Sequence, residues 1–385
     1  MNKVIRIAIL TNIIPTYRKG FYDLLFENKD LSVTVYCQSH IPGMNLKSIH
    51  DLYGKNVRLV KMISARGEKF AWQFLPWIEI YKNYDVIFLQ GNPRYLSDVF
   101  YGIFLKIFRK KIVLWTMAHS YGANPLNERL RLLWSRIFRH IFVYTDAEVD
   151  YLRDRGFNNN YILGMNNGLN QKSIDQSIQN WSEQKLKEWC IDKKLTDKII
   201  LLSCARLEKK NKFDLFVKVL PRVVNYFPEV IWCIIGDGIE KVNLETQIAQ
   251  AGLEKYVLFV GELYDEEKLA PWFLTAKLFI HPASIGLGLM HAFGYGLPVI
   301  TSSNKLMHGP EFGAFIDNET GRVYSENNIS DFVNTINDLL LNGSTRVKMK
   351  ETVIEIARKK FNVDIMVERF VRIANAAYVN SKFIK

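Results

Sequence analysis

The chain has 385 residues, of which 48% are apolar, enough to fill sizeable cores in on the order of two or three domains. Cys37, Cys190, Cys204 and Cys233 are scattered with no C-x-x-C pair, which argues against a disulfide framework or a His/Cys metal site and for buried thiols in a reducing compartment. No apolar run reaches the roughly 18 residues of a membrane span, and the start, MNKVIRIAIL, lacks the small-residue cleavage pattern of a signal peptide, so a cytoplasmic, soluble or peripheral protein is expected.

Apolar strands are predicted at 4–10, 33–37, 84–89, 112–116, 140–144 and 161–164, alternating with helical stretches. That alternation is the mark of a doubly wound parallel α/β sheet. Polar residues 169–198 interrupt it and read as a connection between domains. A second alternating set starts at Ile199 and runs to about 325, and helices at 328–341 and 346–381, the latter broken near Phe361, close the chain. The expected organisation is a domain at 1–168, a connection at 169–198, a second domain at 199–360, and a segment at 361–385 that packs back on the first domain.

The net charge of +12 is concentrated in the first part, where residues 1–165 hold 23 Lys/Arg against 13 Asp/Glu. Val99 to Lys111 is apolar and ends in four basic residues. Asn127 to Ile141 sets Leu130, Leu133, Trp134, Ile137 and Ile141 on one helical face, with Arg129, Arg131, Arg136 and Arg139 largely elsewhere. Such basic amphipathic stretches fit an anionic membrane surface as well as a core helix with a solvated face. Nucleic acid is not indicated, because the basic residues are interleaved with large apolar ones and no recognition motif appears.

The second half carries the chemistry. An apolar strand ends at Ser203-Cys204, and the turn that follows holds Arg206, Lys209, Lys210 and Lys212. A rigid donor fork beside ammonium groups suits a diphosphate. Next, Ile231 to Ile235 runs into Gly236-Asp237-Gly238. Then Leu278 to Ile280 leads through His281-Pro282 into a small-residue loop ending in Gly286-Leu287-Gly288, where a helix begins. Free amides at a helix start favour an anion, and parallel sheets bind ligands at the carboxyl ends of their strands. Three successive strand ends of this kind read as one nucleotide-diphosphate site.

In this order the segments resemble the C-terminal half of retaining glycosyltransferases of family 4, which have the GT-B fold of two Rossmann-like parallel-sheet domains facing a cleft. The matching residues are Arg206-Leu207…Asp214, Gly236-Asp237-Gly238 and Gly286-Leu287…Ala292…Gly296-Leu297-Pro298-Val299. Further likeness lies in Thr11 to Arg18, Trp115 to His119 and Tyr144 to Glu148. Two family glutamates, eight residues apart, fall here on Ala283 and His291. His291 keeps hydrogen-bonding capacity for a ribose hydroxyl, whereas Ala283 has none. His308-Gly309-Pro310-Glu311 resembles an H-G-P-E loop of one branch of that family, and Glu311 returns a carboxylate to the neighbourhood.

What the resemblance implies is sugar transfer from a nucleotide-diphosphate sugar to a saccharide or an undecaprenyl-diphosphate-linked saccharide, with retention. Bacterial surface polysaccharide (lipopolysaccharide, O-antigen or capsule) is the implied context. His119, Arg206 and Lys212 would be catalytic. Lys210, Gly236, Asp237, Gly238, Gly286, Leu287, Gly288, His291 and Glu311 would bind the donor, and Asn12, Tyr17 and Arg18 the acceptor. No D-x-D segment occurs, so neither a metal nor another cofactor is expected. A sugar-nucleotide epimerase of the same fold, and a non-catalytic membrane-associated nucleotide-sugar-binding subunit, stand as alternatives. An α-glucan phosphorylase would need a far longer chain and a pyridoxal lysine site.

Overall fold

The computed structural model describes residues 4–41, 48–65, 70–119 and 125–379, which divide into two compact units, 1–169 with 363–385 and 170–362. In the first unit the chain forms β1 (Ile5–Leu10), α1 (Lys19–Glu27), β2 (Leu31–Cys37), β3 (Val57–Leu59), β4 (Met62–Ala65), β5 (Phe70–Gln73), α2 (Trp77–Asn83) and β6 (Val86–Gln90). It continues with α3 (Leu96–Ile107), β7 (Lys111–Trp115), α4 (Pro125–Arg136), β8 (His140–Val143), α5 (Asp146–Arg153) and β9 (Tyr161–Gly164). Seven strands pair in parallel in the order β3-β2-β1-β6-β7-β8-β9, while β4 and β5 make a separate antiparallel hairpin.

The central strands are apolar on both faces because helices cover both faces. On one side Ile7, Ile9, Val35, Phe88 and Phe142 pack with Phe21 and Leu25 of α1. On the other, Ala8, Leu10, Leu89 and Leu114 pack with Tyr101, Leu105 and Trp134. The order reverses between β1 and β6, so the loops after these two strands diverge and leave a crevice.

The second unit opens with α6 (Gln171–Asn180) and α7 (Glu183–Asp192), then β10 (Ile199–Cys204), α8 (Phe213–Tyr226), β11 (Val230–Ile235), α9 (Lys241–Gln250), β12 (Val257–Gly261) and α10 (Glu266–Thr275). It continues through β13 (Leu278–Ile280), α11 (Leu287–Gly294), β14 (Val299–Ser302), β15 (Gly321–Tyr324), α12 (Ile329–Leu341) and α13 (Gly343–Lys359). Its parallel sheet has the order β12-β11-β10-β13-β14-β15, with the reversal between β10 and β13. Trp232 is fully buried and donates to the Ser203 hydroxyl at 2.9 Å, which in turn donates to the Ile280 carbonyl at 2.6 Å. That chain clamps β11, β10 and β13 at the point of reversal. A last helix, α14 (Val363–Val379), belongs to the first unit, where Phe370 stacks on Phe88 with ring centroids 4.0 Å apart.

Three sequence readings need correction. Residues 169–198 are not a bare polar connection. They form α6 and α7, held in the second unit by Trp189 against Trp272 and by the Trp181 indole donating to the Glu267 carbonyl. The helix read over Asn127 to Ile141 stops at Arg136, and Ile141 lies inside β8. Its apolar face is split, with Trp134 buried and Leu130 and Leu133 more than half exposed. Finally, the four basic residues at the end of α3 and just past it are not all a solvated face: Arg109 is exposed, but the other three bond to carbonyls of the fold. Lys106 donates to the Ile137 carbonyl, Lys110 to the Tyr81 carbonyl and Lys111 to the Tyr378 carbonyl.

Candidate functional site

In the second unit the loops after β10, β11, β13 and β14 converge at the reversal point. Gly236 and Gly238 are there because backbone passes against backbone. A Cβ on Gly236 would lie 2.0 Å from the Ala205 oxygen, and one on Gly238 would lie 2.4 Å from the Leu207 oxygen. Leu207 N–H donates to the Asp237 carbonyl and Glu240 N–H to the Leu207 carbonyl, zipping the two loops together. The Asp237 carboxylate accepts from Gly238 N–H at 2.6 Å and sits near Lys241. Its side chain therefore caps its own turn.

The zipped loop presents the cations. Arg206 lies 3.1 Å and Lys210 2.7 Å from the two oxygens of Glu208. Burial pushes the Glu208 carboxyl up, but Lys210 and Arg206 outweigh it and hold the group below its ordinary value. Buried Asn211 donates to the Arg206 carbonyl at 2.7 Å, fixing the turn from inside. Lys212 adopts a left-handed backbone conformation (φ 52°), which swings its side chain to Glu326, with 2.9 Å between Nζ and Oε1. Glu326, just past β15, also accepts from Asn304 at 2.6 Å, and these bonds keep its carboxyl below the usual range. Each of the three cations on this loop is thus paired with a carboxylate, Arg206 and Lys210 with Glu208 and Lys212 with Glu326.

The small-residue loop after β13 is tied to the loop after β14 by His308. Its Nδ1 accepts from Ile285 N–H at 3.2 Å, and its Nε2 faces the Ser302 carbonyl at 2.8 Å. Burial lowers the His308 pKa, so the ring is neutral and carries its proton on Nε2, the tautomer both bonds require. Gly286, Leu287 and Gly288 stand at the start of α11, and Glu311 packs against them. Its Oε2 is 3.5 Å from where a Cβ on Gly286 would sit and 2.8 Å from one on Gly309. Ala283 is buried and contributes no polar group.

His291 is not left open for a ligand on both nitrogens. Nε2 lies 3.3 Å from Glu266 on α10, whose other oxygen accepts from Tyr295 at 2.7 Å. Burial raises the Glu266 carboxyl, but His291 and Tyr295 overcome it and keep the group ionised. A carboxylate thus stands beside the residue that replaces the motif glutamate. Sequence reasoning missed Glu266 because it is 25 positions away with no motif around it. Glu326 was findable, since it immediately follows a strand end.

In the first unit, Asn12, Tyr17 and Arg18 line one cavity of about 290 Å³ together with Trp115 and Tyr144, at the reversal between β1 and β6. The Asn12 side chain accepts from Ile13 N–H at 2.8 Å, which shapes the loop, and Tyr17 is half-exposed. Arg18 is buried, with Trp115 and Tyr144 rings 5.1 and 5.3 Å from its guanidinium carbon. His119 follows β7 and sits against Tyr151, ring centroids 6.1 Å apart, outside the residues that line the cavity. Buried Glu148 pins that loop, accepting from Ala118 N–H and Tyr144 N–H, each at 2.8 Å.

Two open parallel sheets, each with a loop cluster at its reversal point, define a GT-B fold, and residues 187–359 match the family model described as Glycosyl transferases group 1. The chain is 25% identical over 231 residues to the O-antigen biosynthesis glycosyltransferase WclY of Escherichia coli, covering 58% of this chain and 62% of that protein. It is 20% identical over 180 residues to the lipopolysaccharide core biosynthesis glycosyltransferase LpsE of Rhizobium meliloti, covering 46% and 50%. These matches span less than two thirds of either relative. Among solved structures, Anabaena HepE in complex with UDP superposes with a TM-score of 0.71 at 15% identity, over 96% of this chain and all of that one. A glycosyltransferase of Rickettsia africae gives 0.73 at 14% identity, over 99% of this chain and 100% of that one.

Proposed function

We propose that the protein transfers a sugar, with retention and without a metal, from a nucleotide-diphosphate sugar to a saccharide or an undecaprenyl-diphosphate-linked saccharide. The setting is bacterial surface-polysaccharide assembly, which agrees with the O-antigen and lipopolysaccharide core biosynthesis that WclY and LpsE serve. The observation that carries this reading is the set of cations Arg206, Lys210 and Lys212 on the loop after β10, at the sheet reversal and inside the segment that matches the group 1 family.

In this mechanism Arg206 and Lys212 neutralise the charge that develops on the departing diphosphate, an electrostatic contribution made in advance by fixed groups. Glu208 and Glu326 hold those cations in position before the donor arrives. The amides of Gly286, Leu287 and Gly288 add uncharged donors. The acceptor hydroxyl attacks the face the diphosphate leaves, and a phosphate oxygen takes its proton, so no carboxylate nucleophile is needed. His291, oriented by Glu266, offers its remaining nitrogen to the ribose. His119, Asn12, Tyr17 and Arg18 serve the sugar and acceptor side. Mixing the protein with a panel of nucleotide-sugars and a short saccharide tests the reading, which fails if no sugar is transferred from any donor.

The reading also puts the protein at the cytoplasmic face of the plasma membrane. Among the described residues no helix is long and apolar enough to cross a membrane. Support for peripheral attachment comes from α3, which exposes Leu96, Phe100, Ile103 and Ile107 along one stripe, with exposed Trp77 packed on Phe104 beside it. Lys82 and Arg109 are exposed nearby. An apolar, aromatic stripe edged by positive charge suits an anionic bilayer.

A further inference from the structure

The first unit buries a guanidinium without giving it a counter-charge. Arg18 is 6% exposed, and its polar contacts are neutral: the Met165 thioether, 3.5 Å from Nη1, and the Tyr17 hydroxyl. Around it are the rings of Trp115, Tyr144 and Tyr17. Among the described residues it has no carboxylate partner. Burying an unpaired charge is costly, and folded proteins keep such a group where a ligand completes it.

The cavity that Arg18 lines holds a second cation, Arg131 of α4, and no Asp or Glu. Arg131 donates weakly to the Met117 carbonyl at 3.4 Å. Two further polar groups on the same wall are unused among the described residues: the buried Trp115 indole nitrogen and the buried Gln90 side-chain oxygen. Two guanidinium groups and an indole N–H are donors only and outweigh the one unused acceptor, the Gln90 oxygen, so the cavity asks for an acceptor-rich, negatively charged group. Its place between the ends of β1 and β6 is where an open parallel sheet takes a ligand.

We infer that this cavity is an oxyanion subsite, in which Arg18 and Arg131 bind a phosphoryl or carboxylate group carried by the acceptor. The inference rests on the reading of the first unit as the acceptor side. It deepens that reading by assigning the acceptor's anionic group to a site at Arg18 and Arg131. Arg18 then acts as a specificity residue, since a neutral sugar leaves it unpaired. The aromatic walls exclude water around it and strengthen the bond it makes.

The test is calorimetric titration of the full chain with inorganic pyrophosphate and, separately, glucuronate, in the presence of saturating UDP. UDP occupies the donor diphosphate site of the second unit, so binding seen there is to another site. Wild type should bind at least one of the two anions, and Arg18→Met should weaken it by about 10-fold or more, the scale of a lost hydrogen-bonded charge pair. Arg131→Gln, at a partly exposed position, should weaken it less and decides the matter if Arg18→Met does not fold. Binding of pyrophosphate alone assigns the anion to a phosphoryl group, and binding of glucuronate alone to a carboxylate. No binding of either anion, competition with UDP, or unchanged affinity in the folded variants overturns the subsite. A protein that fails to bind UDP overturns the donor reading instead, and Arg206→Ala should affect UDP alone.

Discussion

Lys212→Ala separates catalysis from stability more cleanly than any other change in the donor loop. Lys212 pairs with Glu326 at 2.9 Å, but both side chains keep 29% of their surface exposed, so the pair adds no more than about 1 kcal/mol to folding. Its left-handed backbone (φ 52°) is as strained for alanine as for lysine, so the substitution does not change that cost. If Lys212 neutralises the leaving diphosphate, its loss removes charge stabilisation worth roughly 100-fold or more in kcat/KM, about 3 kcal/mol. Steady-state transfer kinetics and a urea melt on the same preparation give both numbers. The expected result is a drop of that size with a nearly unchanged midpoint. Arg206→Ala should match it, and Lys210→Ala should be milder. Wild-type turnover in Lys212→Ala with an intact fold would refute the assignment of this cation to the diphosphate.

Gly236→Ala should cost roughly 3 kcal/mol or more in a chemical denaturation curve, because its Cβ meets the Ala205 oxygen at 2.0 Å and the loop bearing Arg206 must shift; a midpoint shift within error would show that the two loops are not so close. His140, buried and beside Arg139, has its pKa pushed down to about 4, so below about 6.5 the unfolded chain takes up a proton that the folded chain refuses. Its contribution is complete above about 6.5 and lost as pH falls to about 4, on the order of 3 kcal/mol, and His140→Phe should flatten this part of the unfolding free energy measured against pH. A stability profile as steep in the variant as in wild type would assign the acid sensitivity elsewhere. On the membrane side, Phe100→Ser with Ile107→Ser should reduce sedimentation with anionic vesicles while leaving transfer to a soluble acceptor intact; equal binding by the variant would remove the α3 stripe from the account.

The fold class was legible because buried parallel strands write themselves as apolar runs, and IRIAIL or VIWCII admits little else. The short β3 and the β4–β5 hairpin were not, since neither has a continuous apolar run, and Leu59 and Ile63 are exposed. Helical periodicity carried α4 too far because the buried strand after it continued the apolar count. At the site, residues whose roles follow from chain geometry were readable: the glycines at strand ends and the basic turn after β10. Residues brought in from a distance were not. Glu266 reaches His291 from another helix, and Arg131 enters the cavity of Arg18 although its spacing placed it on a solvated face. Lys110 and Lys111 show the converse, since a basic run in sequence became internal donors to carbonyls in the fold.

The measurement that bears most directly on the central claim is a proton NMR time course of the anomeric signal, with α-linked nucleotide-diphosphate sugars and a saccharide acceptor. The account predicts that nucleotide is released as an α-linked product appears, with no change of configuration at the anomeric carbon. A product of inverted configuration would contradict retention. Conversion of the donor sugar without an acceptor would make the protein an epimerase, and nucleotide-sugar binding with no product at all would make it a binding subunit.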